Sequence, residues 1–72
     1  MRKITKPQIR ELAKGDKVLI KAGNVEMEGF ITEVTDMALY PKIMIQTVEG
    51  LKGFSRKSGK AYGTEHQIIK KL

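Results

Sequence analysis

From Asp16 onward the apolar residues of this chain recur at every second position, in runs of six or so broken by glycine-containing turns. That alternation is what most constrains the fold. A period of two is the repeat of a strand with one face buried and the other in water. Lys17-Val18-Leu19-Ile20-Lys21 sets Val18 and Ile20 on one face, and Ala22-Gly23-Asn24 has turn chemistry, with Gly23 free to take a positive φ. A second strand spans residues 25–35 and is long enough to need a bend. Val25 and Met27 share a face opposite Glu26 and Glu28, whereas Phe30, Thr32 and Val34 continue in the other phase. The slip falls at Gly29, which predicts a bulge or a barrel corner there. Residues 36–41 read as a loop. Residues 42–48 are apolar on both sides (Ile43 and Ile45; Met44 and Val48), which predicts an interior strand. Glu49-Gly50 reads as a hairpin turn into a strand over 51–56, Ser58-Gly59 as another turn, and residues 67–72 as a short closing strand.

Ahead of the strands, Thr5-Lys6-Pro7-Gln8 has the form of a capping box with proline in the first turn. Ile9, Leu12 and Ala13 follow at i, i+3 and i+4, and Gly15 is a plausible stop. Two turns of helix are marginal alone, so this one must dock on the strands. At 72 residues there is room for one domain: residues 1–15 as a basic arm and short helix, and 16–72 as a small barrel. Closure removes the strand edges that invite aggregation. With no cysteine, neither a disulfide nor a thiolate zinc site supports the core.

The formal charge is +6 and the pI about 9.8, and the charge is partitioned along the chain. Residues 1–21 carry seven Lys/Arg against two acids. Residues 22–50 carry one lysine against five acids. Residues 51–72 carry six Lys/Arg against Glu65. A fold that joins the two ends therefore opposes a basic region to an acidic one, and a basic patch concentrates polyanions through its long-range field. No apolar run reaches the ~20 residues of a membrane span, and no signal-peptide core is evident near the start, so a cytoplasmic location is expected.

The phrase Lys14-Gly15-Asp16-Lys17-Val18, followed by Gly29-Phe30-Ile31-Thr32-Glu33-Val34, resembles the opening strands of SH3-like barrels of the KOW and Tudor type. The resemblance implies a mainly β chain: a small SH3-like five-stranded barrel with a short N-terminal helix. The stretch Phe54-Ser55-Arg56-Lys57-Ser58-Gly59-Lys60-Ala61-Tyr62-Gly63 resembles the ending of short, uncharacterised phage and prophage barrel proteins. That likeness implies a phage-type origin, hence host cytoplasm, and brings no activity with it. Gly23, Gly29, Ile31 and Asp36 are similar to the glycine-and-aspartate strand of bacterial Sm-like RNA chaperones. The spacing differs by one residue on both sides of Gly29, and Met37 stands where that family has asparagine.

Catalytic arrangements are poorly supported. His66 is the one histidine, near Ser55, Ser58 and Thr64, but hydroxyls beside turns commonly bond their own backbone. Glu26, Glu28 and Glu33 read as the solvated side of a strand, so no metal, no cofactor and no enzymatic activity are expected. Gly53 to Gly59-Lys60 has the wrong spacing for a phosphate loop. Gly50-Leu51-Lys52-Gly53 matches a KH-type loop in form but lies between strands and not helices.

What remains is an interleaving of basic and aromatic groups: Lys52, Phe54, Arg56, Lys57, Lys60 and Tyr62, with Lys70 and Lys71 in the tail and Arg2, Lys3, Lys6 and Arg10 in the arm. Bases stack on aromatic rings while Lys and Arg neutralise phosphate. Phe54 is one of two phenylalanines and is expected in the core, which leaves Tyr62 as the stacking residue. The expected function is low-specificity DNA or RNA binding through Lys52, Arg56, Lys57, Lys60, Tyr62, Lys70 and Lys71. The alternatives are a protein-interaction module anchored by Met37, Leu39 and Tyr40, and an Sm-like RNA-binding oligomer.

Overall fold

A computed structural model describes residues 6–36, 39 and 41–72. The capping residue Thr5, the arm residues Arg2 and Lys3, and the loop residues Met37 and Tyr40 lie outside the described residues. The elements are α1 (Lys6–Arg10), β1 (Lys17–Ala22), β2 (Val25–Thr35), β3 (Lys42–Thr47), β4 (Gly50–Ser55) and β5 (Gln67–Lys71). The protein is mainly β. Five antiparallel strands form one sheet in the order β4-β3-β2-β1-β5. Among the described residues no helix is long and apolar enough to cross a membrane.

The helix is shorter than its apolar spacing predicts. Ile9 and Leu12 are buried, but Ala13 is exposed, and the helix stops at Arg10 well before Gly15. The cause is Asp16. Its carboxylate accepts from the Ala13 amide at 3.0 Å, and its own N–H donates to the Ala13 carbonyl at 3.1 Å, which draws Ala13 into a turn. Gly15 serves that turn at φ +96°, and its N–H donates to the Ile31 carbonyl, extending the β1–β2 pairing.

β1 and β2 are joined by the two-residue loop Gly23-Asn24, with Gly23 at φ +61° in the first central position, as a type II′ hairpin requires. The phase slip in β2 lies at Thr32, not at Gly29. Met27, Gly29 and Ile31 face the core in unbroken alternation, Phe30 points outward at 45% exposure, and the register with β3 shifts between Ile31 and Glu33. Gly29 has a different purpose. A Cβ there would collide with Ile45 Cγ2 and stand 2.6 Å from Ile20 Cδ1, so the missing side chain lets residues from both flanking strands meet over β2.

β3 is flanked on both sides, as its sequence predicts, but Val48 does not belong to it. The loop Val48-Glu49 turns the chain into β4, leaving Val48 at 88% exposure. Buried Thr47 holds that turn, its hydroxyl donating to the Gly50 carbonyl and accepting from the Glu49 amide. Ile9, Leu12, Val18, Ile20, Ile31, Ile43, Ile45, Phe54 and Ile68 make a single core. Each such side chain contributes roughly 1.5–3 kcal/mol of transfer free energy.

β4 and β5 are the sheet edges and do not pair with each other, so the sheet is not closed. Between them runs a two-residue bridge: Ala61 pairs with Phe54 and Lys60 with Gln67. The Ser55 N–H donates to the Lys60 carbonyl and the Tyr62 N–H to the Gly53 carbonyl. On the other side Ala61 donates to His66 and Ile68 to Gly59, all at 2.8–3.0 Å.

Candidate nucleic-acid interface

The candidate residues enter the structure through the turn that follows β4. Ser55 organises it: its hydroxyl accepts from the amides of Lys57 (3.1 Å) and Ser58 (3.3 Å), and its carbonyl accepts from Gly59. Gly59 supplies the positive φ of +76°. Ser58 then accepts from the Lys60 amide. The hydroxyls here are turn-formers, and they hold Lys57 and Lys60 out into solvent.

Three of the other candidate cations are engaged. Arg56 makes an ion pair with Asp36 (2.8 Å) and donates to the Arg10 carbonyl (3.3 Å), with its side chain 19% exposed. Its backbone N–H also donates to Pro41. Arg56 thus ties the end of α1 and the β2–β3 connection to the β4 turn. Lys52 lies 3.9 Å from Glu49, and Lys71 lies 3.6 Å from Asp16. Such surface pairs contribute about 0–1 kcal/mol each, so they restrain these cations without neutralising the region. Lys57, Lys60 and Lys70 are exposed and make no ion pair among the described residues.

Phe54 is fully buried, so it offers no platform between Lys52 and Arg56. Tyr62 is 47% exposed and lies over Gly53, where an added Cβ would meet its ring at 4.0 Å; its hydroxyl donates to the Pro41 carbonyl at 3.1 Å. Leu39 is 82% exposed. Gly50 to Gly53 lie within β4 and form no KH-type loop.

Two features were not apparent from sequence. Arg10, Asp36, Pro41, Arg56 and Lys57 line a cleft of about 500 Å³. Its walls come from three segments far apart in the chain, so only folding brings them together. The second is His66, whose side chain is mostly buried: Nε2 is 2.8 Å from Glu49 Oε1 and Nδ1 is 3.0 Å from Thr64 Oγ1. Thr64 also accepts from the His66 backbone N–H, which makes it part of a local turn. Glu26, Glu28 and Glu33 are exposed on β2, and no group of three potential metal ligands converges among the described residues.

No protein-family model matches this chain, and the comparisons with curated proteins and with solved structures found no match.

Proposed function

We propose that this protein is a non-enzymatic nucleic-acid-binding module, an SH3-like barrel in its overall curl, that holds the phosphate backbone with little sequence preference. The observation that carries the reading is the solvent-directed turn after β4. There Lys57 and Lys60 stand unpaired among the described residues beside half-exposed Tyr62 and the cationic cleft of Arg10 and Arg56. A fixed turn leaves only the lysine side chains to be ordered on phosphate, and a half-exposed tyrosine offers a stacking face for an unpaired base. Lys70 extends the basic surface, while Lys52 and Lys71 contribute to the field from within their ion pairs. Among the described residues no long helix is available to enter a major groove, which favours backbone contact over base reading.

The test is an amide-shift titration with short single-stranded and duplex oligonucleotides at low and physiological salt. With Arg10, Lys57, Lys60 and Lys70 as the contacting cations, log affinity falls against log salt with a slope of about −3 to −4 on duplex DNA. No shifts at low salt at residues 57–62 would sink the reading. The second reading, a phage-type protein-interaction module, draws on exposed Leu39 and predicts that Leu39→Ala, not charge reversal at Lys57 and Lys60, abolishes partner capture. An Sm-like ring is the third, and sedimentation of the free protein separates it from both.

A further inference from the structure

We propose that the cleft lined by Arg10, Asp36, Pro41, Arg56 and Lys57 is a phosphomonoester site that takes the terminal phosphate of a nucleic-acid chain. Among the described residues that line it, three cations and one carboxylate give a formal charge of +2. A phosphomonoester carries about −1.5 to −2 at neutral pH, whereas each internal phosphate of a nucleic acid carries one negative charge. The cleft therefore matches a chain end better than a chain interior.

The donors are prepared for that ligand. Arg56 uses one nitrogen on Asp36 (2.8 Å) and another on the Arg10 carbonyl (3.3 Å), and these contacts fix the plane of the guanidinium. A guanidinium has five N–H donors in a rigid fork, so donors remain for an oxyanion and little orientational freedom is left to lose. Lys57 projects from the Ser55-capped turn, Arg10 is exposed at the end of α1, and both line the cleft. Pro41 supplies an apolar wall, and the Tyr62 hydroxyl bonded to its carbonyl brings an aromatic ring up to that wall. The volume of about 500 Å³ falls within the range of small-ligand pockets, about 300–1,000 Å³.

The inference rests on the proposed function for the source of the phosphate; the pocket itself fits a free nucleoside monophosphate equally well. The experiment titrates labelled protein with one single-stranded oligonucleotide in three forms: a 5′-phosphate, a 3′-phosphate, and hydroxyls at both ends. A nucleoside 5′-monophosphate forms a fourth arm. A phosphorylated end is expected to bind about tenfold more tightly than the hydroxyl form, the effect of one additional charge-assisted contact. New shifts are expected at Arg10, Asp36 and Lys57. Arg10→Gln, at an exposed position that leaves the Arg56 side-chain contacts intact, is expected to remove the preference. Equal affinity for all three oligonucleotides overturns the site while leaving backbone binding intact, and so does a preference that survives in Arg10→Gln. If neither end-group form binds but the monophosphate shifts Arg10 and Lys57, the pocket stands and the nucleic-acid reading falls.

Discussion

The β1–β2–β3 part of the molecule and the segment between β4 and β5 solve the same problem by different means. In the first, continuous antiparallel ladders satisfy the backbone, and Ile20, Ile31, Ile43 and Ile45 pack into the core from adjoining strands. In the second, two bridge residues and a series of hydroxyl-capped turns span the gap: Ser55, Ser58 and Thr64 bond nearby amides, and Lys60 and Ala61 reach to both edges. The ladder region has almost no freedom to vary its core-facing side chains. The spanning segment fixes its backbone locally and leaves its cations outward, which is where a binding surface can be built without disturbing the core.

The comparison can be broken most severely from the core side. Phe54→Ala removes a fully buried ring and is expected to cost about 3–5 kcal/mol in urea denaturation. Gly29→Ala comes next, at about 1–3 kcal/mol, because its methyl collides with Ile45 and Ile20. A stability equal to wild type would show that β2 does not need that close approach. Ser55→Ala is expected to cost about 1 kcal/mol and to speed amide exchange at Lys57 and Ser58 while the β1–β2 amides keep their protection. Combined reversal of Lys57 and Lys60 to glutamate should leave stability within about 0.5 kcal/mol, yet flatten the salt dependence of oligonucleotide binding by about two contacts. The smallest expected effect is Leu39→Ala, which leaves both stability and oligonucleotide retention unchanged; loss of protein-partner capture in this variant, with no loss on charge reversal at Lys57 and Lys60, would favour the protein-interaction reading.

The strands, both tight hairpins and nearly all of the core follow from alternation and glycine placement, because those signals are local. The slip in β2 lies beyond the position that the alternation predicts, for a physical reason. Gly29 occupies a core-facing position with no side chain to show it, so outward Phe30 looked like the start of a new inward phase. Ala13 fits the helical stripe, but Asp16 competes for its amide. Of the basic residues, sequence identified the turn lysines but not the engagement of Arg56. Its partners, Asp36 and the Arg10 carbonyl, are far away in the chain, and no spacing rule connects them. His66 reaching Glu49 is hidden for the same reason.

The strand order also dictates a sequence of assembly. β1 to β4 form a meander in which each strand pairs with its neighbour in the chain, so three of the four ladders need short-range closure. The fourth joins β5 to β1, the two strands farthest apart in sequence. Entropy of closure grows only slowly with length, about 0.6 kcal/mol per doubling, but the encounter must wait for the meander to hold its shape. Until Ile68 arrives beside Ile20, the edge of β1 is bare and the core lacks one wall. Any state in which β5 is undocked therefore has an open apolar face on β1, and such a state is the one a chaperone or a neighbouring chain would recognise.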